Sequence, residues 1–531
     1  MVGSYRNRRA AINISKLNPE RSTSTVQVHN LETDGLAELR TPRNDLVRER
    51  ADDASPDYFV GYHGPFIRWE RWLEVKEAGD GRYRATETIR YRAAVGPWRP
   101  LFAWPLRRAV RHRRNPWWAP PDRLDTRAAT VLSLLACIQV VDGYLGTVIS
   151  QTITFASDEF GRSDTAQGVT LAAIRLGIVI TLAVVALADR QGRRRLLIAT
   201  AVLAVTATAL GALSPGLWFL GGTQLIGRGL TTGMGILIGV FAAEELPRGA
   251  RAYGVSVLAL SAALGAGMAV WVLPVADLDP RAWRAIYLVP LLALPGLFAV
   301  GRRLPESRRF TANTTDQDPS NQANRLPEHE SQRREEKRRL LLLAGAAFLL
   351  LVFAAPASQF QNDFLKDQRG FSASGITLFT LLTTTPAGIG LFLAGRVADT
   401  RGRRGVAAIG LLGGTAFIVI GYNATGTLMW GSTLAGSVIS ALTVALGVYG
   451  PELFSTKNRA RANGLVVTLG VTGSATGLLV VGILSDHFGS YGPAFTIVAI
   501  GPVLAAVLVL RWFPETARVE LESLNPGDAP L

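Results

Sequence analysis

Leu187-Ala188-Asp189-Arg190-Gln191-Gly192-Arg193-Arg194-Arg195 is a short basic loop between two apolar runs, and the chain repeats it as Val397-Ala398-Asp399-Thr400-Arg401-Gly402-Arg403-Arg404. The offset is 210 residues from Asp189 to Asp399 and again from Gly192 to Gly402. Two further pairs recur at this spacing or one residue less: Ala250–Gly254 with Ala460–Gly464, and Pro305-Glu306 with Pro514-Glu515. Landmarks that repeat at one spacing indicate an internal duplication, and this constrains the fold before any helix is assigned.

The composition is typical of a membrane protein. The 531 residues are 48% hydrophobic and 18% charged, with a mean hydropathy of +0.22, whereas soluble domains are about 25% charged. The apolar residues form blocks of about 18 to 28, long enough to cross a hydrocarbon core of ~30 Å. The net charge of +15 reflects Arg clusters in short loops between these blocks, which indicates membrane topology rather than nucleic-acid binding. The single cysteine, Cys137, excludes a disulfide framework and a cysteine zinc site.

The apolar blocks predict twelve transmembrane helices, six on each side of a polar linker. The first six lie near 128–153, 166–187, 196–213, 216–243, 252–275 and 285–301. The second six lie near 340–360, 374–397, 405–422, 427–450, 464–484 and 491–512. The predicted fold is an all-α integral membrane protein with two six-helix bundles, 126–301 and 340–513, a cytoplasmic linker, 302–339, and a cytoplasmic tail, 514–531.

The region before the first span shows no apolar segment typical of a secretory signal. Residues 1–60 are polar and irregular, which predicts a disordered cytoplasmic tail. Within the small extension at 61–125, alternating apolar residues flank Ala78-Gly79-Asp80-Gly81, a pattern that predicts a β-hairpin. Because one hairpin is marginal alone in water, it must pack on something. The alternative is a decorative extension without activity of its own.

Tryptophans and arginines are concentrated over 94–124, immediately before the first span. Trp favours the headgroup level and Arg clusters favour the anionic cytoplasmic leaflet, so we expect this segment to contact the lipid bilayer and no nucleic acid. Placing the N-terminus inside also puts most of the loop arginines on the cytoplasmic side. We therefore predict a multi-pass protein of the cytoplasmic membrane whose two termini are cytoplasmic.

The duplicated loop resembles the G-x-x-x-D-x-x-G-R-R signature between helices 2 and 3 of the major facilitator superfamily. The second copy, from Gly395 to Arg404, matches in full, and the first copy has Val185 in place of the leading Gly. The resemblance extends from residue 126 to about residue 525 and implies two bundles around a central cavity that works by alternating access.

The same loops are candidate gates. Gly192 and Gly402 permit a tight turn, and Asp189 and Asp399 can bond the start of a neighbouring helix, where backbone N–H groups favour an anion. The alternative is that the loop arginines are only positive-inside anchors. The candidate gating residues, including acid and Arg positions of the loops after helices 4 and 10, are Asp189, Gly192, Arg193, Glu245, Arg251, Asp399, Gly402, Arg403, Glu452 and Arg461.

Three charges fall near the middle of predicted spans: Asp142, Arg175 and Arg228. Each costs at least about 2.5 kcal/mol to place there, so such residues normally face a cavity or a partner. Asp142 is the natural proton carrier, because a carboxyl next to a movable Arg can bind and release a proton; the alternative is a static pair. One Asp against two Arg leaves a net charge of +1, which favours an anionic substrate.

Further motifs resemble the sugar and organic-acid proton symporter branches of the superfamily. Asp142-Gly143-Tyr144 is similar to the D-G-[FY]-D stretch of aromatic-acid symporters, with Leu145 replacing the second acid. Pro305-Glu306-Ser307 and Pro514-Glu515-Thr516 are similar to the motifs after helices 6 and 12. Polar residues of helices 1 and 7 complete the candidate cavity: Tyr144, Gln359, Gln361 and Asn362.

These patterns predict a secondary transporter of a small organic solute, an organic acid or a sugar-like metabolite, that couples uptake to protons and works as a monomer. The alternatives are a drug or metabolite exporter of the same fold and a transport-like sensor that signals through the N-terminal region. No Gly-rich loop ending in Gly-Lys-Ser/Thr is present, which argues against ATP-driven transport. The histidines are scattered, so we expect no metal, no cofactor and no enzymatic activity.

Overall fold

The computed structural model describes residues 22–53, 55–113, 115–116, 118–120, 122–247, 250–306, 330–388, 402–449 and 459–515. The chain divides into two compact units. The first, here the N-terminal unit, comprises Met1–Leu135 and Ala242–Val257. The second, here the helical unit, comprises Ala136–Phe241 and Leu258–Leu531. Each is described separately below.

The N-terminal unit contains a five-stranded antiparallel sheet in the order β1-β5-β4-β3-β2. Its strands are β1 (Thr23–Glu32), β2 (Arg48–Asp52), β3 (Ser55–His63), β4 (Phe66–Gly79) and β5 (Arg82–Ala93). Two helices, α1 (Thr33–Arg40) and α2 (Arg99–His112), accompany the sheet. The predicted hairpin is confirmed as β4–β5, and its turn places Asp80 at φ 53° between two glycines of positive φ.

The expected disorder of residues 1–60 is wrong for the part that the structure describes, since β1, α1, β2 and most of β3 lie within it. The strand β1 pairs along its whole length with β5, some sixty residues later in the chain, from Thr23 opposite Tyr91 to Glu32 opposite Arg82. A polar strand of this kind buries one face only after its distant partner is in place. The amino-acid composition of this segment alone therefore underestimates how ordered β1 is.

A buried charge network accompanies the sheet. The Arg71 side chain is fully buried, and its Nε donates to both carboxylate oxygens of Glu49, at 3.1 and 2.9 Å. Trp69 Nε1 also donates to Glu49, at 2.7 Å, and Arg71 donates to the carbonyl of Leu39, at 2.9 Å. Because an unpaired charge here would be costly, the network fixes how β2, β4 and α1 meet.

Helix α2 covers the sheet with one face and exposes the other. Leu106, Ala109 and Val110 are buried in the cluster that includes Phe66 and Trp69, whereas Leu101 and Trp104 are each 69% exposed. At its start, Trp98 Nε1 donates to the carbonyl of Ser133 in the first long helix, at 2.9 Å. The exposed apolar end of α2 therefore lies beside the first turns of that helix.

Long apolar helices make up the rest of the chain. In the first half they are α3 (Thr126–Glu159), α4 (Asp164–Ile174), α5 (Ile178–Gln191), α6 (Arg193–Leu210), α7 (Leu217–Glu245), α8 (Arg251–Val272), α9 (Trp283–Leu288) and α10 (Leu294–Arg303). In the second half they are α11 (Glu330–Gln359), α12 (Ala373–Thr383), α13 (Arg403–Asn423), α14 (Gly426–Ser440), α15 (Arg459–Phe488), α16 (Tyr491–Val498) and α17 (Ile500–Trp512). Short 3₁₀ turns join α4 to α5 and α9 to α10 within single spans.

Ten spans among the described residues are long and apolar enough to cross a membrane. The predicted helices 374–397 and 427–450 are represented by α12 and by α14 with its 3₁₀ continuation Ala441–Val448. Residues 389–397 and 450 of these predicted helices lie outside the described ranges. Helix α11 begins at Glu330, before the predicted boundary at 340, because charged pairs such as Glu335–Arg339 extend the helix beyond its apolar part. The predicted multi-pass all-α membrane fold is confirmed.

Candidate functional site

The intramembrane acid Asp142 lies on α3 and faces α7. Its side chain is half-buried, and Gln139, one turn earlier, donates from Nε2 to Asp142 Oδ2 at 2.7 Å. A Cβ placed on Gly235 of α7 would lie 3.5 Å from the same carboxylate oxygen. The missing side chain at Gly235 thus leaves the carboxyl group facing the backbone of the neighbouring helix.

Arg228 approaches α3 from α7, close to Asp142. Its NH1 donates to the carbonyl of Gly146 at 2.7 Å, one turn beyond Asp142. The two charges are close enough to interact electrostatically, but neither forms an ion pair within 4.0 Å with any residue that the structure describes. Asp142 and Arg228 are therefore neighbours without direct contact, and a proton, water or ligand group can alter their interaction.

Arg175 is brought to the same region by a close helix crossing. It begins the 3₁₀ turn Arg175–Gly177 between α4 and α5. A Cβ on Gly229 of α7 would lie 2.4 Å from the carbonyl oxygen of Gly177, and Thr181 Oγ1 donates to the carbonyl of Gly229 at 2.8 Å. Backbone contact at this crossing places Arg175 within electrostatic range of Arg228. Among the described residues Arg175 has no carboxylate partner.

Glycines also fix the position of α3 against α8. A Cβ on Gly143 would lie 2.0 Å from the carbonyl oxygen of Ala262, and one on Gly265 would lie 1.9 Å from that of Val140. Small residues permit this close approach of transmembrane helices. Because Gly143 follows Asp142 directly, the crossing sets the rotation of α3 and hence the direction of the carboxyl group.

The other predicted cavity residues lie in two places. Tyr144 is buried and donates from its hydroxyl to the carbonyl of Ile286 in α9, at 2.8 Å. Asn362 is buried and donates to the backbone and side-chain oxygens of Gln151, both at 3.0 Å, so it joins the two halves of the chain. Gln359 is half-buried at the end of α11. Gln361 Nε2 is buried without a partner among the described residues.

Contacts between the two halves gather at one end of the helices, here the Asp164 end. Asp277, after α8, accepts from the backbone N–H groups of Ala373 and Ser374 at the start of α12, at 2.6 and 2.8 Å. At the same end, Lys366 pairs with Asp158 and the backbone of Thr165 donates to Asp486 at 3.0 Å. These contacts could not be predicted from the sequence, since each joins residues far apart in the chain.

The candidate gating loops contain the predicted glycine turns, with φ of 90° at Gly192 and 96° at Gly402. Arg193 and Arg403 each begin the following helix. Glu245, fully buried, accepts two hydrogen bonds from Arg127 of α3, at 2.8 and 3.1 Å. Outside the described part lie the remaining members of the candidate set: Asp399, Glu452 and the side chains of Asp189, Arg251 and Arg461.

Two family models match consecutive parts of the chain. The model described as Sugar (and other) transporter matches residues 129–340, and the model described as Major Facilitator Superfamily matches residues 340–529. Together they span both predicted bundles.

Among curated proteins, the chain is 26% identical over 346 residues to a Haemophilus influenzae protein whose name describes metabolite transport, covering 62% of this chain and 82% of that protein. It is 28% identical over 156 residues to a Bacillus subtilis protein whose name describes a niacin/nicotinamide transporter, NiaP, covering 29% of this chain and 39% of that protein.

Solved structures show the same fold. The inward-open xylose transporter XylE from E. coli has a TM-score of 0.62 at 17% identity, covering 75% of this chain and 99% of that chain. The nucleoside transporter NupG has a TM-score of 0.58 at 13% identity, covering 72% and 100%.

Proposed function

Because the chain belongs to the major facilitator superfamily, we propose that it is a proton-coupled transporter of a small organic anion that works by alternating access. The family and fold are those of membrane transporters rather than enzymes. Beyond the family and fold, we propose the coupling ion, the charge of the substrate and the orientation of the protein in the membrane. Both termini would be cytoplasmic, the protein would work as a monomer in the cytoplasmic membrane, and the exposed apolar end of α2 would contact lipid headgroups.

The observation that carries the proposal is the relation of Asp142 to Arg228. Asp142 is half-buried on α3, hydrogen-bonded only to Gln139 among the described residues, and electrostatically coupled to Arg228 without an ion pair. In apolar surroundings the protonated carboxyl needs no counter-ion, and the ionised carboxyl can be stabilised if Arg228 approaches. Two protonation states are therefore accessible, which a proton carrier requires.

The substrate charge follows from the two arginines. Arg175 has no carboxylate partner among the described residues, and Arg228 donates to a carbonyl. With Asp142 protonated, the site would carry two positive charges, and a guanidinium can hold a carboxylate through two hydrogen bonds. The relative named for niacin/nicotinamide transport supports this class in part, since niacin is a pyridine carboxylic acid and nicotinamide is its neutral amide. A neutral sugar-like metabolite is the alternative substrate.

Uptake into proteoliposomes tests the proposal. A pH gradient, acidic on the side of substrate entry, should drive accumulation of an organic acid above its equilibrium level. Asp142→Asn should abolish accumulation and leave counterflow exchange intact, because exchange needs no net proton movement. Full gradient-driven uptake by Asp142→Asn would remove Asp142 from the coupling role.

The folded sheet of the N-terminal unit favours one second candidate, a sensor that binds a solute and signals through this unit. Its separate buried clusters, one around Phe59 and one around Trp69, show that the unit is folded, which supports a role of its own. A sensor would show a ligand-dependent rise in melting temperature but neither driven uptake nor counterflow. Measurable counterflow of the stabilising ligand would exclude a sensor without transport.

A further inference from the structure

A second buried acid, Asp363, lies at the contact between the two halves. It follows α11, beyond the end of that span at Gln359, and its side chain has no exposed surface. Gln167 of α4 donates from Nε2 to Asp363 Oδ1 at 3.2 Å, and the hydroxyl of Tyr491 at the start of α16 donates to Oδ2 at 3.0 Å. The carboxyl thus touches an element from each half of the chain.

Among the residues that the structure describes, no positive charge balances this carboxyl. Within the described residues, no Lys, Arg or His forms an ion pair with Asp363, and Lys366, three residues on, is paired with Asp158. The titratable groups that face Asp363 from the surrounding elements are acids and phenols: Asp164 of α4, Asp367 of its own segment, Tyr422 of α13 and Tyr491 of α16. An ionised carboxylate here would be buried beside other acids.

The surroundings of Asp363 favour its protonated form instead. Burial raises the pKa of Asp363 to about 7, and the neighbouring acids Asp164 and Asp367 act in the same direction. Thr154 of α3, fully buried beside the carboxyl, and Gln167 act in the opposite direction, because hydrogen bonds donated by their side chains favour the ionised form. Burial outweighs both. The amide oxygen of Gln167 is buried and has no partner among the described residues, so it remains available as an acceptor for a carboxylic acid proton.

We propose that Asp363 is a proton-binding site that holds the two halves together at the Asp164 end. When the halves are in contact, Asp363 is protonated and buried between Gln167 and Tyr491. When they separate, water reaches the carboxyl and it ionises, which opposes closure. The proposal rests on the alternating access of the proposed function, but not on coupling through Asp142.

The direction in which pH shifts the balance between the closed and separated states follows from the different pKa of Asp363 in the two states. In the separated state the exposed carboxyl has an ordinary pKa of about 4, and in the closed state burial raises the pKa of Asp363 to about 7. Below about pH 4 both states hold the proton, and above about pH 7 neither does, so the ratio of the states is constant in both ranges. Between these values only the closed state holds it, so each rise of one pH unit favours separation by up to tenfold.

Distance measurements between spin labels on the two halves test this without substrate. In a Cys137→Ser background, Leu213→Cys after α6 and Leu428→Cys in α14 place nitroxides at exposed positions outside the contact. The labelled protein in nanodiscs should show one short distance near pH 4 and a growing longer distance up to about pH 7. A distribution that does not change between about pH 4 and pH 9 would overturn the proposal.

Asp363→Asn supplies the matched variant, because the neutral amide imitates the protonated acid. It should keep the short distance at every pH, whereas Asp367→Asn, the same change at an exposed acid four residues on, should keep the pH response and shift it to slightly lower pH, because one of the acids that raise the pKa of Asp363 is lost. If the distance in Asp363→Asn changes with pH as it does in the parent, the pH response belongs to another group. In Asp142→Asn the distance between the labels should change with pH as in the parent. A failure of the Asp142 coupling role is therefore distinguishable from a failure of the Asp363 site.

Discussion

The carboxylate of Glu306 lies 3.0 Å from the backbone nitrogen of Arg193, the first residue of α6. The same oxygen accepts from the backbone of Arg194, also at 3.0 Å. The second copy repeats the contact, with Glu515 accepting from the backbones of Arg403 and Arg404 at 2.8 and 3.2 Å. The repeated Pro-Glu motifs therefore supply an anion to the helix start that follows each duplicated loop, where the helix dipole favours negative charge.

Removing this anion should destabilise the bundle. Glu306→Ala leaves two backbone N–H groups at the start of α6 without their acceptor, so we expect a loss of about 1 kcal/mol and a lower melting temperature in detergent. Glu515→Ala should have a similar effect in the second half. Glu306→Gln keeps an acceptor oxygen and should lie between the alanine variant and the parent. Equal melting temperatures for all of these proteins would show that the contact contributes nothing.

Neutralising Arg175 should weaken binding of an anionic substrate. A charge-assisted hydrogen bond contributes about 1.5–3 kcal/mol, so Arg175→Gln should raise KM for a carboxylate by roughly tenfold or more. Arg175→Lys keeps the positive charge but cannot hold a carboxylate through two parallel hydrogen bonds, so its KM should lie between those of the parent and Arg175→Gln. Uptake or competition binding with a carboxylate and its neutral amide analogue measures the effect. If both ligands weaken equally, Arg175 does not recognise charge.

Two glycines of α8 form a matched pair for testing the helix crossing beside Asp142. A Cβ on Gly265 would lie 1.9 Å from the carbonyl oxygen of Val140, whereas one on Gly267 would meet only the Trp271 ring, at 3.6 Å. Gly265→Ala should therefore force α3 and α8 apart and cost about 1–3 kcal/mol. Gly267→Ala should be neutral. The readouts are melting temperature and the fraction of monodisperse protein, and similar values for both variants would disprove close packing at Gly265.

The buried Arg71 should be essential to the N-terminal sheet. Arg71→Met removes the cation that pairs with Glu49 and leaves a buried carboxylate, which typically costs about 3–5 kcal/mol. Amide hydrogen exchange in the full-length protein should then increase across β2, β4 and β5. Arg84→Met, at an exposed position of β5, is the control and should exchange like the parent. Unchanged protection in Arg71→Met would mean that the network is dispensable.

Much of the fold could be predicted because its signals are local. A transmembrane helix needs only a sufficiently long apolar run, since its backbone hydrogen bonds close within the segment. The duplication, the hairpin β4–β5 and the positions of Asp142 and Arg228 on their helices could likewise be recognised from spacing and alternation. The strand β1 could not, because its partner β5 lies about sixty residues further along the chain, from Thr23 opposite Tyr91 to Glu32 opposite Arg82.

The sequence by itself determined the membrane class, the two halves and the three intramembrane charges, because these depend on residue type and short-range order. Only the tertiary structure decided which groups meet. It placed Glu306 at the start of α6, and it left Asp142 and Arg228 adjacent but not paired. It also enclosed Asp363 between Gln167 and Tyr491. The burial and partners of a charge depend on helices remote in sequence, and no local pattern encodes their approach.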